Sequence, residues 1–352
     1  MAKRLYILFL FFGFAVHVFP SGFAAALAGE EAKSDAEQLG WPGTLHILTG
    51  PPGGQWDALG LELEKLLTAN GLPAKKEVGG GVENLRLVGE GKADIGFTLY
   101  SFLGAAGAGE KELPEVDLDN AVLLSNLYPQ VLYLIVRKGV ADSHNLKTLG
   151  DLLKITDPIR FATLPKGTGS EFIFNMLLKS AYRTSYDRLE EQGWKVGFQS
   201  YAEITRLFLA GELDVCAYTA GPGTYLIPAL EEKKLDAVLL PIDEEMLNLM
   251  THQFMTITYV VEKGDYKSVE KDITTLGDYS CLVVQSSLPD DVVHQINKVM
   301  WDHRAEMAKV SKDMEQLSPR FAVSGQSKVH PASLKFWNSP EMQDLKKGGR
   351  KR

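Results

Sequence analysis

Residues 44–67 read TLHILTGPPGGQWDALGLELEKLL and hold one complete strand-to-helix unit. Apolar and polar residues alternate over residues 44–48, which predicts a strand. A loop of glycine and proline follows at residues 50–54, and the leucines after it recur at helical spacing until Asn70-Gly71, which predicts a helix. Because strand, loop and helix keep this order along the chain, the sequence predicts an α/β protein with largely parallel sheets.

An internal echo of this unit predicts two similar α/β lobes. Residues 86–95, RLVGEGKADI, match residues 206–215, RLFLAGELDV, at Arg, Leu, Gly, Asp and the β-branched end. Each copy is typical of a helix end, a glycine that can take a positive φ, and the start of a strand. The predicted limits are 43–140 for the first part of lobe 1, 141–243 for lobe 2, 244–345 for the return to lobe 1 and its C-terminal helices, and 346–352 for a frayed basic tail.

The N-terminus has the pattern of a secretory signal peptide. The basic pair Lys3-Arg4 precedes an apolar run over residues 5–19, and Ala26-Leu27-Ala28 offers small residues for cleavage. The run is shorter than the roughly 20 residues of a membrane span, and no cysteine follows it, which argues against a lipoprotein. We expect a signal peptide over residues 1–28, cleaved after about Ala28, a flexible leader over residues 29–42, and a mature chain in the periplasm.

Composition excludes several function classes. The 352 residues are 45% hydrophobic and 23% charged, which is typical of a globular chain of about two domains. The net charge of -8 and the lack of a Lys/Arg stripe argue against nucleic acid and anionic lipid as partners. Cys216 and Cys281 lie in apolar stretches without a Cys-x-x-Cys motif, so zinc and thiol redox chemistry are not expected. Two buried thiols or, after export, a disulfide both remain open.

Three glycine-rich loops precede predicted helices, at residues 53–55, 79–81 and 167–170. Glycine lets backbone N–H groups turn toward a ligand, and a helix N-terminus adds roughly half a positive charge. Such loops can bind a carboxylate or a phosphate without a cationic side chain, although each can equally be a tight turn. None is a P-loop or a dinucleotide fingerprint, so no cofactor is predicted.

Aromatic residues border the predicted strand ends, whereas catalytic motifs are absent from the sequence. Trp56, Tyr100, Tyr128 and Tyr218 each follow or border a strand end or a glycine loop. In open α/β sheets the ligand lies beyond the carboxyl ends of the strands, where such side chains can form the walls of a pocket. Core packing is the alternative for each. The sequence contains no G-x-S-x-G elbow and no H-E-x-x-H motif, so we do not expect an enzyme.

Motifs spread over residues 43–338 resemble the TAXI (TRAP-associated extracytoplasmic immunogenic) family of solute-binding proteins. The first is GGQWDALG at residues 53–60, which resembles the first loop of that family. The others are GGVENLRL at 80–87, GKADI at 91–95, LYPQ at 127–130, GTGSE at 167–171, AGELD at 210–214, AGP at 220–222, LPDDVV at 288–293 and VHPA at 329–332. Each motif is weak alone, and their order and spacing carry the resemblance.

The resemblance implies a periplasmic binding protein of the type II-like fold, with two α/β lobes joined by crossover strands. Such a protein captures a small solute between its lobes and delivers it to a TRAP transporter, whose fused small and large membrane subunits are the implied partners. It docks on that membrane protein without being embedded itself. Glutamate, related amino acids and dicarboxylates are typical ligands of the family. We expect the lobes to close by a hinge near Gly139 and Pro241.

Two departures from the family pattern widen the expected ligand class. Gln55-Trp56-Asp57 stands where the family has Thr-Tyr-Tyr, and Leu99-Tyr100-Ser101 stands where it often has Gln-Ser-Asp. An acid at Asp57 would favour a ligand amine if it faced the cleft, so we expect an acidic or zwitterionic metabolite. A sensor or adaptor for a membrane receptor, and an enzyme on the same scaffold, are the alternatives. The predicted ligand-binding residues are Gly53, Gly54, Gln55, Trp56, Gly81, Tyr100, Tyr128, Gly167, Thr168, Gly169, Ser170 and Gly221.

Overall fold

A computed structural model of the chain describes residues 43–111, 113–222, 224 and 226–348. The predicted signal peptide and leader, residues 1–42, lie outside these ranges. The last helix continues to Gly348, so residues 346–348 of the predicted frayed tail are helical, and residues 349–352 lie outside the described part.

Strands and helices alternate along most of the described chain. The strands are β1 (Leu45–Leu48), β2 (Ala74–Glu77), β3 (Ile95–Leu99), β4 (Ala121–Arg137), β5 (Arg160–Thr163), β6 (Lys195–Phe198), β7 (Val215–Ala220), β8 (Ala237–Leu239), β9 (Ile257–Val261) and β10 (Ile273–Gln285). The helices are α1 (Gln55–Ala69), α2 (Gly81–Gly89), α3 (Tyr100–Gly107), α4 (Lys138–Ser143), α5 (Leu149–Leu152), α6 (Gly169–Met176), α7 (Tyr186–Glu191), α8 (Tyr201–Leu209), α9 (Leu226–Glu232), α10 (Glu244–Phe254), α11 (Asp290–Asp302), α12 (Arg304–Val310), α13 (Pro331–Trp337) and α14 (Pro340–Gly348). A π-helical turn at Leu177–Ala181 extends α6, and a 3-10 turn at Lys312–Gln316 follows α12.

The strands form one mixed sheet in the order β2-β1-β3-β10-β4-β7-β5-β6, with β8 on β4 and β9 on β10. At one end β1 pairs parallel with β2 and β3, and at the other end β5 pairs parallel with β6 and β7. The antiparallel strands β4 and β10 connect these two groups. The predicted fold class is therefore confirmed: two α/β lobes, each with a mostly parallel sheet, are joined by crossover strands.

The two crossover strands change partners near their middles. Residues 121–131 of β4 pair with β10, whereas residues 131–136 pair with β7. Residues 273–277 of β10 pair with β9, whereas residues 280–284 pair with β3. Lobe 1 is here the β2-β1-β3 end of the sheet, and lobe 2 the β7-β5-β6 end. The change of partner in β4 falls before the predicted lobe limit at 140, and the limits themselves remain predictions.

The internal echo has the same structural role in both lobes. Gly91 and Gly211 both take a positive φ, at 71° and 79°, just after a helix. Asp94 then accepts a hydrogen bond from the backbone N–H of His46 on β1, at 2.7 Å. Asp214 accepts the corresponding bond from the N–H of Arg160 on β5, at 2.9 Å. Each aspartate thus fixes the edge of the neighbouring parallel strand.

Helices cover both faces of the sheet and bury its apolar side chains. Leu59, Leu63 and Leu67 of α1 are fully buried at the predicted spacing, and burying each contributes about 1.5–3 kcal/mol. Cys216 and Cys281 are buried free thiols, so the two do not form a disulfide here. Among the described residues, no helix combines the length and the apolar character that crossing a membrane requires.

Candidate functional site

A cavity of about 470 Å³ lies between the lobes, within the range of small-molecule sites. It sits at the carboxyl ends of parallel strands from both lobes, where α/β sheets bind ligands. Lobe 1 contributes Gly50, Pro51, Gly54, Gln55, Trp56, Leu99 and Asp313, the crossover strand β4 contributes Gln130, and lobe 2 contributes Leu164, Thr168, Gly169, Ser170, Tyr201, Thr219, Ala220, Gly221, Pro222 and Thr224.

The wall of lobe 1 is the loop from β1 into α1. Gly53 takes φ of 77°, a left-handed conformation that suits glycine. Its N–H donates to the Asp57 carboxylate at 3.1 Å, which closes the turn. Gly54 is the N-cap of α1 and makes no side-chain cap hydrogen bond. No N-cap side chain therefore covers the first turn of α1, and Gly54, Gln55 and Trp56 at this end of the helix line the cavity.

The wall of lobe 2 is the loop from β5 into α6. Gly167 takes φ of 85°. Thr168 is the N-cap, and its hydroxyl accepts a bond from the Glu171 N–H at 3.3 Å, while the Glu171 carboxylate accepts one from the Gly167 N–H at 3.2 Å. This arrangement resembles a capping box, except that the carboxylate binds the N–H one residue before the N-cap, and it fixes the loop. The Ser170 hydroxyl accepts a bond from the Thr219 N–H at 2.7 Å and so ties α6 to β7.

Two aromatic side chains, Trp56 and Tyr201, line the cavity. The Trp56 indole N–H donates to the Ser280 hydroxyl at 2.7 Å, and its ring packs 6.1 Å from Phe97, so its orientation is fixed from behind. Tyr201 packs edge-on against Tyr218 at 5.4 Å, and its hydroxyl donates to the Thr219 carbonyl at 2.6 Å. These contacts fix the orientation of both rings, and both residues line the cavity, where a ligand can pack against them.

Asp313 is the one acidic side chain on the cavity wall formed by the described residues. Its carboxylate accepts a hydrogen bond from the Gln55 side-chain amide at 2.7 Å, and the same amide donates to the Ser311 hydroxyl. Burial raises the pKa of Asp313, and the bond from Gln55 offsets part of that rise. The carboxylate lies against Gly221 of lobe 2, where an added Cβ would come within 2.1 Å of it.

Most of the sequence-predicted residues meet at this cavity. Gly54, Gln55 and Trp56 line it from lobe 1. Gly53 and Gly167 lie in the same loops, one residue outside the lining. From lobe 2 the lining includes Thr168, Gly169, Ser170 and Gly221.

Three other predicted residues lie outside both the cavity and its two loops. Gly81 lies behind it, and a Cβ there would come within 3.3 Å of the Trp56 ring. Tyr100 is 2% exposed, and its hydroxyl accepts a bond from the Ser327 N–H at 2.7 Å. Tyr128 is 1% exposed within the crossover strand β4, and burial raises its pKa. Both tyrosines are buried in the core, the alternative that the sequence left open.

The third glycine loop is a strand-to-helix turn rather than a wall of the cavity. Asn84 accepts a bond from the Gly80 N–H at 2.9 Å and donates to the carbonyls of Thr49 and Phe97, both at 2.7 Å. The loop is thereby tied to β1 and β3 inside lobe 1. Asp57 also faces away from the cavity, because it pairs with Lys76, and that contact lowers the pKa of its carboxyl group.

Residues 47–338 match the family model described as the NMT1-like family. The chain belongs to the NMT1-like family. The match covers all ten strands except the first two residues of β1, so it includes both lobes and every element that lines the cavity.

Many solved structures are similar to this NMT1-like protein, and three of them are described here. A TctC solute binding protein from Polaromonas is 12% identical over 88% of this chain and 98% of its own, with a TM-score of 0.45. MatC from Rhodopseudomonas palustris with bound malate is 14% identical over 87% and 99%, with a TM-score of 0.47. An amino acid ABC transporter substrate-binding protein from Streptococcus pneumoniae bound to L-arginine is 14% identical over 80% and 98%, with a TM-score of 0.39. At these scores the likeness says nothing about the ligand of this chain.

Sequence reasoning missed several lining residues of this NMT1-like protein, among them Tyr201 and Asp313. Tyr201 is the first residue of α8, after the strand β6 and the N-cap Ser200. This position between a strand and a helix could have marked it as a candidate for the cavity. Asp313 gave no such signal, because it lies in a 3-10 turn 258 residues from Gln55, its hydrogen-bond partner.

Proposed function

We propose that this NMT1-like protein is an extracytoplasmic solute receptor. It binds a small acidic or zwitterionic metabolite, such as an amino acid or a dicarboxylate, between its lobes and delivers it to a TRAP-type membrane transporter. The observation that carries the proposal is the cavity of about 470 Å³ between the lobes, which is faced by the start of α1 from one lobe and the start of α6 from the other.

The arrangement suits a ligand carboxylate. The amides at the start of both helices are directed by glycine-containing turns, and each helix adds partial positive charge at that end. Both lobes line the cavity, so a ligand that contacts both lobes stabilises the closed form over the open one. The crossover strands β4 and β10 are the connections that must bend when the lobes close. We propose the hinge at their change of partners rather than near Gly139 and Pro241, which follow the ends of β4 and β8.

The cellular setting is part of the same proposal and rests on sequence features. A signal peptide cleaved after about Ala28 would place the receptor in the periplasm. The resemblance to the TAXI family supports fused TRAP membrane subunits as the docking partner. Uptake by proteoliposomes that contain those subunits, with and without the receptor, tests the partner separately from the ligand.

The experiment that tests the receptor is isothermal titration calorimetry on the mature chain against L-amino acids, 2-oxo acids and dicarboxylates. We expect at least one to bind with a micromolar dissociation constant, about -8 kcal/mol. Gly169→Val should abolish that binding, because a Cβ at Gly169 already comes within 2.6 Å of Leu99 in the other lobe, so a larger side chain holds the lobes apart.

The matched control is Gly107→Val. Gly107 is exposed at the end of α3, and a Cβ there would meet only Leu118, at an ordinary 3.6 Å, so this variant should bind as the wild type does. Absence of binding by the whole panel to the wild type would refute the receptor, as would equal binding by Gly169→Val.

A further inference from the structure

The described lining of the cleft has a negatively charged side chain and no positively charged one to balance it. Asp313 contributes a carboxylate to its wall, and among the described lining residues there is no Lys, Arg or His. The contact that positions Asp313 is the neutral side-chain amide of Gln55, at 2.7 Å. On the opposite side the carboxylate rests on Gly221, which has no side chain to pair with it.

A carboxylate in this position favours a cationic partner. Partial burial takes it out of water, and a single neutral donor compensates less than a charged one. Burial accordingly raises the pKa of Asp313 even with Gln55 bonded to it. An ammonium group brought by a ligand would supply both the missing charge and further hydrogen-bond donors.

The rest of the cavity suits a negatively charged group on the same solute. The amides at the starts of α1 and α6 accommodate a carboxylate, as argued for the receptor, and no other acidic side chain lines the described wall. We propose that Asp313 recognises the positive pole of the solute, so that the cleft selects amine-bearing zwitterions, such as α-amino acids, over carboxylic acids that lack an amine. This proposal rests on the receptor function and narrows its ligand class.

The competing ligand is a dicarboxylate whose second carboxylate faces Asp313. Two carboxylates in contact cannot both stay ionised without a large cost in free energy, so one of them must take up a proton. An amine meets no such cost. The difference in affinity between matched solutes with and without the amine is therefore the quantity that reports on Asp313.

The test is calorimetry at pH 7.5 with matched pairs that differ in the amine alone: L-glutamate with glutarate, L-aspartate with succinate, and L-leucine with 4-methylpentanoate. For at least one pair we expect the wild type to bind the amine-bearing member at least about tenfold more tightly. Asp313→Asn should lose about that factor for the amine. It should leave the affinity for the monocarboxylate 4-methylpentanoate within about threefold, and it should not weaken the binding of glutarate or succinate, because it removes the repulsion between the two carboxylates.

Two controls separate recognition from folding. Asparagine keeps an oxygen that can accept the bond from Gln55, so the ligand-free melting temperature of Asp313→Asn should match the wild type. Glu315→Gln removes an exposed acid from the same 3-10 turn and should leave every affinity unchanged.

The outcomes distinguish this inference from the proposed function. If amine-free acids bind the wild type as tightly as their amine-bearing partners, or if Asp313→Asn keeps the preference, the role of Asp313 is wrong and the receptor stands. If neither member of any pair binds, the receptor for acidic or zwitterionic solutes is refuted, and the role of Asp313 is refuted with it.

Discussion

Replacing Asp278 by asparagine should make the protein more stable at neutral pH, and the gain should depend on pH. Asp278 lies on β10 beside the change of partners and is 1% exposed. Its carboxyl group accepts hydrogen bonds from the Ser101 N–H at 3.0 Å, the Ser101 hydroxyl at 2.6 Å and the Tyr279 N–H at 2.7 Å. Burial raises its pKa to about 7, and these bonds offset part of the rise.

The size of the effect follows from proton linkage. An aspartate in the unfolded chain has a pKa of about 3.9, so between about pH 4 and pH 7 the folded state holds one more proton than the unfolded state. The free energy of unfolding then falls by about 1.4 kcal/mol for each pH unit through that window, to a total of about 4 kcal/mol. Below about pH 4 the stabilisation by protonated Asp278 is fully present, and above about pH 7 the free energy of unfolding falls no further on its account.

Asparagine retains the hydrogen bonds and removes the titration. Its side-chain oxygen can accept from both backbone N–H groups, while its NH₂ can donate to the Ser101 hydroxyl. Urea unfolding at pH 5, 6, 7 and 8 measures the effect as the difference between Asp278→Asn and the wild type, in which the other titrating groups cancel. We expect that difference to grow in favour of the variant by about 1.4 kcal/mol per unit from pH 5 to pH 7 and then to level off.

The control for this series is Glu191→Gln, which neutralises an exposed acid at the end of α7. It should show a stability difference that is small and flat with pH. A difference for Asp278→Asn that stays constant from pH 5 to pH 8 would refute the reasoning, because it would mean that Asp278 does not titrate in this range in the folded protein.

Two further predictions concern the interior. Asn84→Ala should lower the free energy of unfolding by about 3 kcal/mol in urea, because it leaves the buried carbonyls of Thr49 and Phe97 without the donors they have now; a loss below about 1 kcal/mol would contradict this. Cys216 and Cys281 should not react with a thiol reagent in the native protein and should both react in urea, because burial raises the pKa of both thiols; rapid labelling of either in the native state would contradict their placement.

The sequence predicted the parts of the fold that depend on local pattern. The leucine spacing after residue 54 predicted α1, and the echo between residues 86–95 and 206–215 predicted a repeated helix, glycine turn and strand. Both depend on contacts between neighbours along the chain. The repeat also predicted two lobes, and the family resemblance then supplied the crossover strands that join them, which local pattern alone does not provide.

The parts that the sequence did not predict depend on long-range pairing. The change of partners in β4 at residue 131 is set by β7 and β10, which are distant in sequence. Tyr100 and Tyr128 were candidates for the pocket because they border strand ends, yet packing from neighbouring elements covers both. Asp313 reaches the cavity only because the C-terminal segment returns to lobe 1 and meets Gln55 there.

The place of β10 in the sheet bears on the order in which the chain can fold as it is made or exported. The crossover strand β10 lies between β3 and β4, yet it is completed only at Gln285, after all of β5, β6 and β7. Lobe 2 can therefore assemble while β3 and β4 still lack β10, the strand that pairs with both of them. A chain truncated before residue 273 would keep those edges exposed, which is a known route to aggregation. A chaperone that holds the emerging polypeptide would be needed longest by the N-terminal segment, although that segment is synthesised first.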